Sequence, residues 1–362
     1  MTFPRHPNDL TAPWLTETLR TSGAVSRARV VTVDSEPMSA EKGMTGYLVR
    51  LHLSYDDPEP GGPATLVAKF SGLDAPLREI VHSMGFYERE VRFYQQLAAS
   101  TPIHTPTCYF ADIDVSEGRS LILLEDLASA RNGSWVAGSS IQDVHLAVTE
   151  IAKVHAAWWQ SPLLEEKTWL PMAGFMSVSQ LHAVFDQTWL SFLDKLAVPM
   201  SKQISEAGEL LSRHLHTVNA HLLETPPRTL LHHDFDADNL FFTQNGDKQG
   251  LFVIDWQLTT GGHAPVDVAW LIAGQCKPQM RRDNEEPLLR KYHSLLLQNG
   301  VSEYTFNQCW DDYRMAMLLP AARIAVAVGM SPAAPEGHGG FWNVVFPRYC
   351  QAIQDLNVRE LL

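Results

Sequence analysis

The first third of the chain alternates short apolar runs with turns, a pattern typical of a small antiparallel sheet. Residues 47–53 alternate polar and apolar side chains with the period of a half-buried strand. Further strands are predicted at residues 25–33, 65–70, 108–112 and 120–127, which are rich in β-branched and apolar residues. Helices are predicted at residues 10–21 and around residues 86–94, where the apolar side chains recur at helical spacing.

The rest of the chain is dominated by the longer period of amphipathic helices. Residues 126–140 form a polar, glycine- and serine-containing stretch that predicts a domain boundary, with an N-terminal lobe at 1–126 and a C-terminal lobe at 127–362. Beyond it, helices are predicted at residues 141–159, 179–196, 202–223, 286–298, 304–328 and 341–355. A β-rich part followed by a helical part predicts the α+β class.

One stretch between these helices departs from the helical pattern. Two short apolar runs, residues 240–243 and 250–254, flank a turn at Asn245-Gly246-Asp247, which predicts a hairpin. Polar groups precede the first run, among them Asp234 and Asn239, and Asp255 follows the second. If the runs pair, Asp234, Asn239 and Asp255 gather at one end of the hairpin. An acid, an amide and a second acid in this arrangement can position a hydroxyl group and a metal–phosphate complex.

Two charged residues of the N-terminal part could complete a phosphate site. Lys69 lies in an apolar strand, where it either reaches the surface or needs an anionic partner. Glu90 shares a helical face with Phe86, Phe93 and Tyr94, and a carboxylate on such a face needs a partner when it is buried. A glycine turn formed by Gly43, Met44, Thr45 and Gly46 could lay backbone amides over phosphates, although such turns are more often plain hairpins.

Composition and charge narrow the class of protein. The 362 residues carry a formal net charge of −13, which argues against nucleic-acid binding and hints weakly at a cationic substrate. The four cysteines are scattered without a CxxC pair, as in a reduced cytosolic protein. No signal peptide is predicted, and the most apolar run, residues 321–330, is short and contains Arg323. A cytoplasmic protein without a membrane partner is therefore expected.

Taken together, these segments resemble the kinase-like phosphotransferases that act on aminoglycosides and choline, and most closely the ecdysteroid-kinase-like enzymes. His232-His233-Asp234 with Asn239 matches the H-x-D-x-x-x-x-N loop of that superfamily, and Ile254-Asp255-Trp256-Gln257 matches its metal-binding aspartate. Val67-Ala68-Lys69 with Glu90 matches the lysine–glutamate pair, and residues 123–127 resemble the hinge. The resemblance spans roughly residues 43–314 and implies a bilobal protein-kinase-like fold.

Departures from the superfamily pattern indicate which class of kinase the chain resembles. Only Gly43 and Gly46 remain of a G-x-G-x-x-G loop, and Trp256-Gln257 replaces Phe-Gly after the metal aspartate. No Ala-Pro-Glu motif or obvious activation segment follows. These differences argue against a protein kinase and agree with a kinase acting on small molecules.

The resemblance also implies roles for individual residues. Asp234 would accept the proton of the substrate hydroxyl, Asn239 and Asp255 would hold Mg²⁺, and Lys69 positioned by Glu90 would neutralise the phosphates of ATP or GTP. The residues 43–46 turn would cover those phosphates, and the backbone of Glu125 and Leu127 would bind the base. His232 would support the loop, and Asp267 would cap a helix or tie this loop in place.

The acceptor and the assembly state are less defined. The acceptor is expected to be a hydroxyl-bearing small molecule, and the protein a monomer or homodimer. Candidate substrate-binding residues are Asp236, Trp310, Asp312, Tyr313 and Trp342. Three alternatives remain: a kinase fold that binds nucleotide without transferring phosphate, a metal-dependent hydrolase built on the cluster at residues 232–238, and an α+β domain whose polar clusters are only caps and turns.

Overall fold

A computed structural model describes residues 3–38, 45–57, 62–172, 178–245, 248–331 and 340–362. The chain divides into two compact units. Unit 1 comprises Met1–Ser100, Thr105–Ser129 and the short segment Asp255–Gln257. Unit 2 comprises Thr101–His104, Ala130–Ile254 and Leu258–Leu362. The predicted turn glycine Gly43, its neighbour Met44 and the hairpin turn residues Gly246 and Asp247 lie outside the described residues.

Unit 1 is built on a five-stranded antiparallel sheet with the strand order β1-β2-β3-β5-β4. Helices accompany this sheet in the part of unit 1 that the structure describes. The elements are α1 (Ala12–Thr21), β1 (Val30–Pro37), β2 (Gly46–Tyr55), β3 (Thr65–Ser71), α2 (Ala75–Ser83), α3 (Phe86–Gln96), β4 (Cys108–Asp114) and β5 (Arg119–Glu125).

The two faces of strand β3 have different chemistry. Leu66, Ala68 and Phe70 are buried in a core that includes Leu15 and Leu19 of α1. Because side chains alternate along a strand, Lys69 lies on the opposite face. This pattern places one cation at the centre of the sheet, on the side away from its apolar core.

Unit 2 is mainly helical, as the long amphipathic segments predict, and the α+β class is confirmed. Short strands accompany the helices: β7 pairs with β10, and β6, β8 and β9 form a second small sheet. The elements are β6 (Arg131–Asn132), α4 (Ile141–Ala157), α5 (Pro162–Glu165), α6 (Val178–Lys195), α7 (Lys202–Glu224), β7 (Thr229–Leu231), β8 (Leu240–Asn245), β9 (Lys248–Val253), β10 (Thr260–Gly262), α8 (Pro265–Gln275), α9 (Pro278–Gln298), α10 (Phe306–Ala316), α11 (Leu318–Met330) and α12 (Trp342–Asp355).

The predicted hairpin is confirmed, since β8 and β9 pair in antiparallel register from Leu240↔Val253 to Asn245↔Lys248. Just beyond the last pair, the Ile254 amide donates to the Asn239 carbonyl at 3.1 Å. The register therefore brings the end of the polar loop beside the residue that precedes Asp255.

Several predicted boundaries were wrong, each for a physical reason. The single helix predicted at residues 304–328 is two helices. In a continuous helix the ring of Pro320 would clash with the carbonyl group of residue 316. The strand predicted at residues 25–33 starts only at Val30, where pairing with β2 begins. Val25 and Ala28 are buried without being in a strand, so their apolar character reflects the core.

The segment Phe306–Met330, which contains α10 and α11, is long and apolar enough to cross a membrane by length and composition, with a mean hydropathy of 1.3 in its most apolar window. However, 67% of that window is buried inside the protein. Core helices of soluble proteins have the same property.

Candidate active site

The predicted lysine–glutamate pair of unit 1 forms, and a third residue joins it. The Lys69 Nζ atom lies 2.8 Å from the Glu90 carboxylate and 2.9 Å from Asp255 Oδ1. Glu90 is on α3, whose apolar side packs on the sheet, so its carboxylate is buried next to the lysine. The three residues therefore form one ion group, in which a single cation is shared by two carboxylates.

The charged residues of this group shift one another's pKa values. Burial lowers the pKa of Lys69, but the charges of Asp255 and Glu90 outweigh it and hold that pKa above its usual value. Burial raises the pKa of Glu90, an effect that Lys69 opposes and Asp255 reinforces. One lysine neutralises only one of its two carboxylates, so the group as a whole is an acceptor for a further positive charge.

The segment that carries Asp255 is fastened to α3. The ring of Trp256 stacks on that of Phe93, with centroids 3.9 Å apart and planes at 6°, and Arg89 Nε donates to the Gln257 carbonyl at 2.9 Å. Asp255 itself has the left-handed φ of 63°. The tryptophan that departs from the Phe-Gly pattern thus packs as the aromatic anchor of this turn.

The described end of the predicted glycine turn contacts the same segment. The Thr45 hydroxyl donates to Gln257 Oε1 at 2.8 Å, and the Thr45 carbonyl accepts from the Tyr87 hydroxyl at 2.6 Å. Gly46 begins β2, where a Cβ atom would lie 3.0 Å from the Phe70 carbonyl oxygen, so the tight approach of the chain favours glycine.

The predicted hinge lies at the end of β5. The Glu125 carboxylate accepts from the Thr107 amide at 3.0 Å and from its hydroxyl at 2.9 Å, and Leu127 is buried. Asp126 binds Arg50 with a shortest distance of 2.8 Å. Both acidic side chains are therefore engaged within unit 1.

The polar loop of unit 2 is held by a buried aspartate. Asp267, on the first turn of α8, accepts the amides of His232 and His233, both at 2.7 Å. It also contacts His155 Nε2 at 3.2 Å. Asp267 thus ties the loop, one of its two predicted uses, and His155 is a buried histidine in contact with Asp267 and Tyr292.

Within the loop, Asp234 and Asn239 interact directly. The Asn239 side-chain amide donates to the Asp234 carbonyl at 2.9 Å and to its carboxylate at 3.2 Å. His232 donates from Nε2 to the Ile254 carbonyl at 2.9 Å and accepts the Asp234 amide at Nδ1, at 3.3 Å. Through these bonds the His232 ring joins the loop to the end of the hairpin.

Arg323 contributes to the loop, although its apolar sequence context indicates only packing. Its guanidinium donates to the His233 carbonyl, lies 4.0 Å from the Asp234 carboxylate and sits over the Trp270 ring at 4.4 Å. His233 has a φ of 66°, in the left-handed region. Arg323 therefore holds a strained peptide directly before Asp234.

Asp236 is buried rather than solvated. Its carboxylate accepts from the Asp238 amide at 2.9 Å and from Trp270 Nε1 at 3.2 Å. Burial raises the pKa of Asp236 well above its usual range, and the charge of Asp234 adds to this effect. Asp236 is thus a buried residue of the loop that carries Asp234, and its contact with an acceptor stays a prediction.

The other predicted substrate residues lie in the helical interior, apart from the half-buried Trp310. Asp312 binds His221, His263 and Tyr304, the Tyr313 hydroxyl donates to Glu285 at 3.3 Å, and Trp342 Nε1 donates to the Lys195 carbonyl at 3.3 Å. Burial alone would raise the pKa of Asp312, but its contacts with His221 and His263 hold it well below its usual value. These contacts are typical of structural residues.

Comparison with known proteins identifies the family of this chain. A sequence model of the ecdysteroid kinase-like family matches residues 41–301, well over half of the chain. The chain belongs to the ecdysteroid kinase-like family. A search of curated proteins returned no match.

Solved structures show the same fold at low identity. A Ralstonia eutropha protein described as an aminoglycoside phosphotransferase shares 17% identity at a TM-score of 0.57, covering 96% of this chain and 98% of its own. Choline kinase from Cryptosporidium parvum shares 12% at 0.57, covering 97% and 98%. A variant of aminoglycoside 2'-phosphotransferase-IIIa in complex with GDP shares 10% at 0.51, covering 97% and 99%. This ecdysteroid kinase-like chain thus has the fold of small-molecule phosphotransferases.

Asp267→Asn is expected to destabilise the protein by about 2–3 kcal/mol, because one of the two loop amides then faces an N–H donor instead of a carboxylate oxygen. Urea unfolding monitored by tryptophan fluorescence measures this difference. Asp283→Asn, on the exposed side of α9, is the matched control and should leave the midpoint unchanged. An unchanged midpoint in Asp267→Asn would show that the amides find another acceptor.

The same aspartate predicts a pH dependence. Burial would raise the pKa of Asp267, but the hydrogen bond and charge of His155, with the charges of His232 and His233, outweigh it and lower that pKa in the folded state. A lowered pKa contributes stability above the unfolded value of about 4, and this contribution is lost as the pH falls through the folded pKa. Below pH ~4 the unfolding free energy should therefore fall more steeply in the native sequence than in Asp267→Asn.

Arg323→Lys is expected to lower kcat by about 10- to 100-fold, because an ammonium group cannot both hold the His233 carbonyl and stack on Trp270, so Asp234 is displaced. The KM for nucleotide should not change. Steady-state kinetics separates the two parameters, and Arg314→Lys serves as the control, since Arg314 also donates to a carbonyl, that of Leu356 at 2.7 Å. Equal losses in both variants would refute a specific role for Arg323.

Proposed function

We propose that this ecdysteroid kinase-like protein transfers the γ-phosphate of ATP or GTP to a hydroxyl group of a small molecule, assisted by Mg²⁺. The observation that carries the proposal is the ion group in which Lys69 lies within 2.9 Å of both Glu90 and Asp255. A lysine held in this way on a sheet is the phosphate-binding device that the family resemblance implies. Family membership supports the same class of reaction.

The residues fit a magnesium ion by their chemistry. Mg²⁺ prefers oxygen ligands, and Asp255 offers a carboxylate whose side chain is 25% exposed. The amide nitrogen of Asn239 is used in its bonds to Asp234, so its side-chain oxygen is the atom suited to a cation. The surplus negative charge of the Lys69 group also favours a divalent cation. When bound, Mg²⁺ would neutralise charge on the nucleotide phosphates.

The protein's own residues have separate tasks in this proposal. Asp234 orients the acceptor hydroxyl and accepts its proton. The backbone around Asp234 is fixed by hydrogen bonds from Asn239 and Arg323 and by Asp267, which accepts two backbone amides of the loop. Lys69 offsets negative charge on the phosphates, and Glu90 holds the lysine in place. No covalent enzyme intermediate is needed, because positioning and electrostatics account for phosphoryl transfer.

The base-binding part of the proposal rests on the backbone at Glu125 and Leu127. Because their side chains are engaged elsewhere or buried, the choice between adenine and guanine depends on backbone groups. The GDP complex of the structurally similar aminoglycoside 2'-phosphotransferase variant supports inclusion of guanine nucleotides as donors.

The hydrolase alternative has less support. Its cluster at residues 232–238 would have to direct ligands at one ion, but His232 is bonded to Ile254, and His233 Nδ1 lies 3.0 Å from the Thr260 hydroxyl. Within the described residues, the one group of histidine and acidic side chains that could hold a metal ion lies elsewhere, at His221, His263 and Asp312.

A nucleotide-consumption screen tests the proposal. The purified chain is incubated with Mg²⁺, ATP or GTP, and a panel of hydroxylated metabolites and antibiotics, and mass spectrometry detects a phosphorylated acceptor. We expect at least one acceptor-dependent turnover that Asp234→Asn and removal of Mg²⁺ both abolish. Nucleotide binding without any acceptor-dependent consumption would favour the non-transferring alternative, and Zn²⁺-dependent hydrolysis would favour the hydrolase.

A further inference from the structure

Three metal-ligating side chains meet in unit 2, outside the residues assigned to phosphoryl transfer. His221 comes from α7, His263 from the link between β10 and α8, and Asp312 from α10. His221 Nε2 lies 3.0 Å from Asp312 Oδ1, and His263 Nδ1 lies 3.0 Å from Asp312 Oδ2. The ligand atoms all lie within 4.8 Å of one another. His263 and Asp312 are buried, whereas the His221 side chain is 41% exposed.

The hydrogen bonds around His263 fix the position of its proton. Its Nε2 atom contacts the Thr225 carbonyl at 3.1 Å, and a carbonyl can only accept. The Thr225 hydroxyl lies 3.3 Å from the same nitrogen and donates its hydrogen bond to the His221 carbonyl at 2.7 Å. Its oxygen is therefore also an acceptor for His263. His263 Nε2 therefore carries the proton.

This assignment bears on the contact between Asp312 and the Nδ1 atom, on the other side of the His263 ring. In a neutral His263 the Nδ1 atom carries a lone pair and no proton, yet it faces a carboxylate oxygen of Asp312 at 3.0 Å. That oxygen also accepts a hydrogen bond from the Tyr304 hydroxyl at 2.8 Å. A nitrogen and an oxygen at this distance share a positive charge, either a proton or a metal cation.

The surroundings favour a metal. Histidine ligands in metal sites commonly donate their second nitrogen to a backbone carbonyl, as His263 does to Thr225. Zinc bonds of 2.0–2.2 Å at tetrahedral angles place ligand atoms about 3.3 Å apart. Here each imidazole nitrogen lies 3.0 Å from one of the two Asp312 oxygens, and the three ligand atoms lie within 4.8 Å of one another. Two imidazoles suit zinc, whereas magnesium takes oxygen ligands, so this group and the proposed magnesium ligands differ in metal preference.

We propose that His221, His263 and Asp312 bind one Zn²⁺ ion, with a water molecule on the exposed His221 side as the fourth ligand. The ion stabilises the structure by linking the end of α7 and the start of α8 to α10. α8 also carries Asp267, which holds the Asp234 loop, so zinc supports that loop indirectly. The inference does not depend on the proposed kinase activity.

The test uses the full chain without a polyhistidine tag. After metal removal with a chelator, Zn²⁺ is added in competition with a chromogenic zinc indicator, without nucleotide or magnesium. We expect one zinc ion per chain, a higher melting temperature on zinc binding, and affinity reduced more than about 100-fold in His221→Ala. His216→Ala is the matched control, because His216 is an exposed histidine on the same helix.

Cobalt substitution identifies the ligands directly. Co²⁺ bound to the native chain should give the visible absorption of a four-coordinate nitrogen–oxygen site. In His221→Cys a thiolate-to-cobalt charge-transfer band should appear, which also shows that the variant is folded. Absence of stoichiometric zinc binding, equal affinity in His221→Ala and the native chain, or absence of the charge-transfer band would overturn the proposal and leave an imidazolium at His263.

Discussion

Asp234→Asn is expected to lower kcat by about 10²- to 10⁴-fold while leaving the fold intact, because an amide cannot accept the proton of the acceptor hydroxyl. Asparagine has nearly the same shape as aspartate and still accepts the bond from Asn239. The loop is otherwise fixed through backbone groups, so its geometry should survive. Single-turnover kinetics with the acceptor found in the nucleotide screen measures the chemical step directly.

The control for this variant lies four residues away. Asp238 belongs to the same loop but is exposed, so Asp238→Asn removes an equal charge and should keep kcat near the native value. Thermal unfolding of both variants checks that they remain folded. If Asp234→Asn kept kcat within ~10-fold of the native protein, the base would have to lie elsewhere.

Lys69→Met is expected to lower both activity and stability. Removing one phosphate-neutralising group should reduce kcat by about 10²- to 10³-fold. It also leaves the buried Glu90 and the partly buried Asp255 without their cation, at a cost of about 3 kcal/mol. Chemical denaturation and steady-state kinetics on the same preparation give both quantities.

A double variant separates the two effects. Lys69→Met/Glu90→Leu replaces the buried ion pair by apolar groups, a change that is often neutral for stability. We expect the unfolding free energy to recover and kcat to stay low. Recovery of activity together with stability would show that Lys69 only maintains the fold.

Sequence patterns predicted the parts of the candidate site that are encoded locally. Lys69 stood out as one cation in an apolar strand, and Glu90 as a carboxylate on an apolar helical face, and the two meet at 2.8 Å. The hairpin followed from two apolar runs around a turn, and β8 pairs with β9 as predicted. In each case a single element or two neighbouring elements carry the whole signal.

Contacts between distant elements could not be predicted in this way. Arg323 lies in an apolar helix 90 residues after His233, and no local pattern shows that its guanidinium reaches the loop. Asp236 belongs to a polar loop, and no local pattern shows that Trp270, 34 residues later, covers it. The group at His221, His263 and Asp312 is likewise assembled from three elements whose spacing follows no ligand motif.

The left-handed backbone at His233 and Asp255 limits how far this protein can be stabilised without harming its proposed activity. An L-residue in this conformation costs about 1–2 kcal/mol, a penalty that glycine avoids. Glycine at position 255 would relieve the strain but remove a proposed magnesium ligand. Selection for heat resistance alone would therefore favour an inactive sequence at this position, so directed evolution of this scaffold needs an activity screen in every round.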